Sequence, residues 1–152
     1  MPLGSSLHIS ASGLTAERLR LDVISNNIAN ASTTRTANGK DPYRRQEVVF
    51  SERGGTGSFA STLSRARGCR IVNASGEGVN VVEIKPDQRD FKRVYDPGHP
   101  DADPQGYVKM PNVEPITEMV DMISATRAYE AGVTAINSAK QMQQRALEIG
   151  RA

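Results

Sequence analysis

The sequence predicts an α+β fold, with long N- and C-terminal helices packed as a coiled-coil-like bundle and a small antiparallel β unit between them. Both ends of the chain repeat apolar residues at helical spacing over long stretches without internal proline. The middle instead collects six of the eight prolines and nine of the 13 glycines, a density that excludes long helices there. We therefore divide the chain into an N-terminal helix at 1–34, a β-rich middle unit at 35–113 and a C-terminal helix at 114–152.

The N-terminal helix is expected to run from Ser5 to Ile28, because the asparagines that follow compete for backbone hydrogen bonds. One apolar row, spaced by seven, resembles a coiled-coil seam, and a second row lies about 160° away around the helix. One partner helix covers only one row, so we expect the other to stay uncovered in an isolated chain. The candidate assembly residues are Leu7, Leu14, Leu21 and Ile28 in the first row, with Ile9 and Val23 in the second.

The C-terminal helix is expected to run from Pro115, which suits the first turn of a helix, to about Ile149. Apolar and small residues cover much of its circumference. One row spaced by seven contains only small residues, which lets another helix backbone approach closely. The candidate assembly residues are Ala125, Gly132, Ala139 and Ala146 in this small-residue row, together with Met122, Tyr129, Val133 and Ile136.

Between the helices, five short runs have the β-branched and aromatic content of strands, and we expect them to form the antiparallel unit. These runs lie at 43–50, 69–72, 79–85, 91–95 and 107–110. A mobile loop is expected at 51–64. The single cysteine, Cys69, falls in the second run, where we expect a small buried hydrophobic residue because a lone thiol has no disulfide partner within the chain.

Composition and charge exclude several classes of protein. Hydrophobic residues make up 38% of the chain, which excludes gross disorder, and no apolar run approaches the 18 or so residues of a membrane helix. The net charge of +2 is too small to indicate a nucleic-acid partner. Neither nucleic-acid binding nor direct membrane insertion is therefore expected, and the N-terminal residues do not have the pattern of a cleaved secretory signal.

The sequence contains only weak candidates for a catalytic, metal or phosphate-binding site. Segment 96–104 contains three carboxylates, one histidine and three prolines, and Asp101 and Asp103 have the alternate spacing of oxygen ligands for a hard cation. We interpret it as a structured turn because the ligand series is short, and a metal-dependent hydrolase is the weaker hypothesis. Arg44 and Arg45 could contact phosphate, although a charged strand edge is the favoured interpretation. Without a phosphate loop, nucleophile elbow or HExxH motif, we expect no enzyme activity, cofactor or metal site.

Several ordered strings nevertheless carry a specific resemblance. Residues 10–16 (SASGLTA) and 21–30 (LDVISNNIAN) resemble the N-terminal signature of bacterial flagellar rod and hook proteins. Residues 42–50 (PYRRQEVVF) and 94–103 (VYDPGHPDAD) are similar to the proximal rod branch of that family, and 118–125 (EMVDMISA) to its C-terminal helix. The chain departs from the pattern at Gly132, where related strings usually have asparagine.

The resemblance implies a structural subunit of the flagellar basal-body rod. Such a subunit is exported unfolded through the flagellar type III apparatus without a cleaved signal. It then polymerises with itself and with other rod subunits, through its terminal helices, into the periplasmic drive shaft that transmits torque. An alternative from another class is a secreted binding adaptor whose coiled-coil ends only dimerise and whose β unit holds a ligand. The two differ in how much apolar helix surface stays uncovered.

Overall fold

The computed structural model describes residues 3–36, 41–53, 63, 66–67 and 78–150, and it confirms the predicted α+β fold. A long helix lies at each end of the described chain. Within the described residues, the strands between the helices form two separate antiparallel pairs, β1 with β2 and β3 with β4. The elements are α1 (Leu3–Ala29), β1 (Gln46–Glu52), β2 (Val79–Pro86), β3 (Lys92–Tyr95), β4 (Tyr107–Met110) and α2 (Pro115–Ile149).

Most element boundaries lie close to the predicted ones, and β1 differs most. It begins at Gln46 because the preceding backbone is bonded elsewhere: the N–H of Tyr43 donates to the carbonyl of Thr33, 3.1 Å away. It continues to Glu52, so the prediction that a loop starts at residue 51 is wrong there. The rest of the predicted loop lies almost entirely outside the described residues, as do Cys69 and the run at 69–72.

The two helices pack antiparallel, and the two predicted heptad rows face each other within one chain. Asn27 near the end of α1 bonds Glu118 near the start of α2, and Leu14 lies against Gly132. A Cβ at Gly132 would be 2.8 Å from Leu14 Cδ2. The common spacing of seven carries this pairing along both helices, and Ala125, one heptad before Gly132, is completely buried.

The second row of α1 is covered by the β1–β2 hairpin. Ala16 and Val23, which belong to this row, are buried, and the N–H of Val79 donates to Ser12 Oγ over 3.0 Å. The expectation that this row stays uncovered in an isolated chain is therefore wrong for Val23. The physical reason is that the hairpin, and not a second helix, packs across it. Among the described helices, none is long and apolar enough to cross a membrane.

A close approach at Gly78 makes this docking possible. Its φ of +109° lies in a region that side chains disfavour, and a Cβ there would overlap the hydroxyl of Ser12. We therefore expect Gly78→Ala to lower the free energy of unfolding by more than about 1 kcal/mol in urea denaturation.

Gly13→Ala is the matched control, because no atom lies within 4 Å of a Cβ at this helical glycine. It should raise stability by about 0.5–1 kcal/mol, and equal losses in both variants would contradict the docking geometry.

Candidate assembly surface and its polar junction

The side chain of Asn27 joins the end of α1 to β1 and α2. Its Nδ2 donates to the carbonyl of Gln46 (2.9 Å) and to Glu118 Oε2 (3.0 Å). Its Oδ1 accepts from the hydroxyl of Tyr43 (2.9 Å) and from the N–H of Gln46 (3.0 Å). Only 1% of Asn27 is exposed. Every hydrogen-bonding position of this buried amide is therefore occupied by a group from another part of the chain.

A buried ion pair continues from Asn27. Glu118 is completely buried, and its Oε1 accepts from Arg45 Nε over 2.5 Å. The Arg45 guanidinium also pairs with Glu47 and lies 3.4 Å from Asp121 and 3.8 Å from Asp87. Because charges this deep are costly to leave unpaired, the junction holds the start of α2 against the start of β1. We call Asn27, Tyr43, Arg45 and Glu118 the polar junction.

Burial and charge act on two pKa values at this junction. Burial of the Arg45 guanidinium acts to lower its pKa, but the hydrogen bond and the charge of Glu118 outweigh burial and raise the pKa above its ordinary value. Burial raises the pKa of the Tyr43 phenol, and the negative charge of Glu118 raises it further. Arg45 therefore stays charged and Tyr43 stays a hydrogen-bond donor near neutral pH.

The two neighbouring arginines are both engaged inside the chain. Arg44 Nη1 donates to the carbonyl of Asp87 over 2.9 Å, and its guanidinium lies 4.4 Å from the centre of the Phe91 ring. The backbone N–H of Arg45 donates to Asn112 Oδ1 over 2.8 Å. These contacts fix the segment before β1 to the segments before β3 and α2, and the arginines are structural here.

The Asp-rich segment ties the β3–β4 pair to the chain that follows α1. Asp101 accepts a hydrogen bond from Thr34 Oγ1 over 2.8 Å and pairs with Arg35, while its own N–H donates to His99 Nδ1 over 3.1 Å. The Thr34 hydrogen bond, followed by the charge of Arg35, holds the pKa of Asp101 below its usual value. No group of three His, Cys, Asp or Glu side chains within the described ranges could hold a metal ion.

The structure brings the predicted assembly residues together mainly inside one chain. Val23 and Ala125 are buried, and Ala146 is exposed. The remaining members are half-buried: Leu7, Ile9, Leu14, Leu21, Ile28, Met122, Tyr129, Gly132, Val133, Ile136 and Ala139. Their contribution to contacts between subunits stays a prediction.

The surface that the pairing leaves open is on the other side of α2. Ile116, Met119, Val120 and Ile123, which we call the outer apolar face, are each between 54% and 75% exposed. Their spacing places them on the side of the helix opposite Glu118, Ala125 and α1. None of these four residues is among the predicted assembly residues. Their spacing of three and four residues is a usable signal, but the predicted assembly residues follow rows spaced by seven.

The polar junction is also absent from the sequence-based prediction. The asparagines predict only a helix end, and Arg45 predicts only a charged strand edge. One signal was available: Glu118 stands one heptad before Ala125, so it places a carboxylate at the head of the small-residue row that faces α1. A charged residue in a buried row requires a partner.

Two family models match the two ends of the chain. One, described as flagella basal body rod protein, matches residues 7–35, and the other, described as flagellar basal body rod FlgEFG protein C-terminal, matches residues 105–149. Together with the paired terminal helices, these matches define a flagellar rod protein.

Full-length relatives narrow the family. The chain is 49% identical to the flagellar basal-body rod protein FlgC of Borreliella burgdorferi, with 98% of each chain covered. It is 51% identical to FlgC of Bacillus subtilis, and the match covers 96% of this chain and 97% of that protein. It is 38% identical to FlgC of Escherichia coli O157:H7, and the match covers 99% of this chain and 100% of that protein. The chain belongs to the FlgC family of flagellar basal-body rod proteins. It is a structural subunit of the rod and serves flagellar motility.

We expect Asn27→Leu to lower the free energy of unfolding by at least about 2 kcal/mol, because Glu118 Oε2 and the Gln46 backbone each lose a buried hydrogen-bond partner, although Glu118 keeps Arg45. Urea denaturation of the purified chain measures this loss. The control is Asn26→Leu at an exposed neighbour whose Oδ1 accepts from Asn30 one turn later. The free energy of unfolding of Asn26→Leu should lie within about 0.5 kcal/mol of that of the parent chain. A similar loss in both variants would show that Asn27 stabilises the chain no more than an exposed asparagine does.

We expect the Asp101 contacts to weaken in acid. Because folding lowers the pKa of Asp101, its stabilisation is present above the unfolded-state pKa and is lost as the pH falls through the folded-state pKa. Thermal unfolding between pH 7 and pH 2 should therefore change less in Asp101→Asn than in the parent chain. Asp103→Asn, which removes the same charge from an exposed position of the same turn, is the matched control, and the effect of Asp101→Asn should exceed it. Identical profiles for the parent and Asp101→Asn would contradict this role.

Proposed function

We propose that the chain polymerises through its terminal helices, with copies of itself and with other rod subunits, into the periplasmic drive shaft that transmits torque. The outer apolar face of α2 carries this proposal. Four large apolar side chains form one stripe on a long helix whose opposite side is already occupied by α1. Contiguous apolar surface of this kind is typical of a binding site for another protein.

Burial of this stripe by neighbouring subunits would favour assembly. Complete burial of one large apolar side chain contributes about 1.5–3 kcal/mol, so four half-exposed side chains provide a substantial driving force at each subunit contact. The stripe lies on a helix, which presents its side chains at fixed positions. A repeated helix-to-helix contact of this type supports a stiff tube.

The C-terminal end of α2 also exposes apolar side chains. Met142, Leu147 and Ile149 are exposed, and the pairing of Leu14 with Gly132 places the first turn of α1 at the level of residue 143. The last turns of α2 therefore project beyond α1. We propose that a neighbouring subunit covers them, so that this end of the helix gains its packing on assembly.

The proposed domains separate the terminal helices from the middle unit. The helices at 1–34 and 114–152 form the assembly core, and the unit at 35–113 lies outside it. The helix pair, built by the leucine row and the small-residue row, is the rigid element that presents the outer apolar face. A larger side chain at Ala139 would then disturb the packing of α1 on α2, and it would affect assembly through that change.

The remaining parts of the proposal rest on family membership. The subunit passes through the flagellar type III export apparatus without a cleaved signal and joins the rod where it spans the periplasm. It needs no cofactor and catalyses no reaction, and the relatives carry names that refer to a place in the rod. It neither binds nucleic acid nor inserts directly into a membrane.

We expect Val120→Lys to abolish rod formation and motility, because a charge on the outer apolar face cannot be buried against a neighbouring helix. The isolated variant should unfold within about 0.5 kcal/mol of the parent chain, since residue 120 is exposed. Rod yield and swimming are measured in cells beside an export assay. Gln88→Lys adds the same charge at an exposed position between the sheets and should build normal rods. Normal rods from Val120→Lys would contradict the proposed surface and would favour the adaptor alternative.

A further inference from the structure

One face of the β3–β4 pair combines two like charges with two tyrosines. The antiparallel register places Arg93 directly opposite Lys109 and Tyr95 directly opposite Tyr107. Because side chains alternate along a strand, all four lie on the same face. The other face contains Val108, which is only 2% exposed, whereas Tyr95 is 65% exposed. We call Arg93, Tyr95, Tyr107 and Lys109 the tyrosine–cation face, and it points away from the body of the protein.

The tyrosines are exposed but held in place. Their ring centres lie 5.3 Å apart in an edge-to-face arrangement. The ring of Tyr95 also rests on the backbone of Gly106, where a Cβ would lie 2.8 Å from Tyr95 Cε2 and where φ is +81°. An aromatic surface that is fixed before binding loses little conformational freedom when a partner packs on it.

The two cations weaken the element that carries them. Like charges directly opposite each other destabilise a strand pair, and a sheet of two four-residue strands has little stability to spare. Neither Arg93 nor Lys109 forms an ion pair with any residue in the described parts of the chain. Among the described residues their charges therefore have no acidic partner, and a second molecule with negative charge would provide one.

We propose that the tyrosine–cation face binds an acidic segment of a neighbouring rod subunit, with carboxylates against Arg93 and Lys109 and an apolar side chain on the tyrosine pair. This inference rests on the proposed assembly of the chain into the rod. Tyrosine and arginine are enriched at the centres of protein interfaces, which favours a protein partner. A polyanion such as nucleic acid would be matched by a far larger basic surface than two cations.

The test uses a charge reversal that should have opposite effects on folding and on binding. Arg93→Glu replaces a repulsive cross-strand pair with an attractive one, so the thermal midpoint of the isolated full-length chain should stay the same or rise. Its incorporation into rods, in competition with the parent chain, should fall by at least about tenfold through repulsion of the acidic segment. The control is Lys92→Glu, the same charge change on the same strand but on the other face, with incorporation within about twofold of the parent.

The outcomes separate this inference from the proposed function. Parent-like incorporation of Arg93→Glu would overturn the inference, even if Val120→Lys still blocks rods and so supports assembly through α2. A lowered thermal midpoint for Arg93→Glu would also overturn it, because the residue would then have a structural role in the chain.

A second experiment identifies the chemistry of the partner. A photo-crosslinking phenylalanine derivative at position 95 is activated in purified basal bodies, and the product is analysed by mass spectrometry. We expect a crosslink to a rod-subunit peptide containing Asp or Glu, and we expect Lys at that acidic position to restore incorporation of Arg93→Glu. A crosslink to a glycan, no crosslink to a rod subunit, or failure of the reciprocal change to restore incorporation would each overturn the inference.

Discussion

The hydrogen bonds of one buried asparagine hold the described elements in their relative positions. Asn27 bonds the backbone of β1, the phenol of Tyr43 and the carboxylate of Glu118, so it connects segments that are 16, 19 and 91 residues away along the chain. Its partner Glu118 is a completely buried charge that requires Arg45. Helix α1 ends, β1 begins and α2 begins within this one cluster, and the loss of one member leaves a buried hydrogen-bonding group of its neighbours without its partner.

The junction also determines which surfaces of the helix pair stay exposed. By bringing Glu118 to Asn27, it fixes the register in which Leu14 lies against Gly132 and the leucine row meets the small-residue row. The inner side of α2 is then filled by the chain itself, and the outer apolar face is left exposed. One side of the helix pair is therefore filled within the chain, and another side stays exposed.

The middle unit depends on the same body for its stability. Each of its two-stranded sheets is too small to be stable alone, and each is attached by specific contacts. The β1–β2 hairpin is seated on α1 through Gly78 and Ser12, while the β3–β4 pair is tied through Asp101 to Thr34. With its inner side fixed in this way, β3–β4 can carry an outer face that contributes little to its own stability.

The sequence by itself determined the helices, most of the strands and the family, because these depend on local periodicity, turn residues and ordered strings. Pro115 begins α2 as predicted, and β4 has its predicted bounds, since proline and β-branched residues act on the backbone next to them. The pairing of elements was decided only by the tertiary structure. Heptad rows on α1 and α2 fit a partner in the same chain or in another, and periodicity does not distinguish the two. The Asn27–Glu118 bond, which crosses 91 residues, resolves that choice because a buried carboxylate must meet its partners inside the fold.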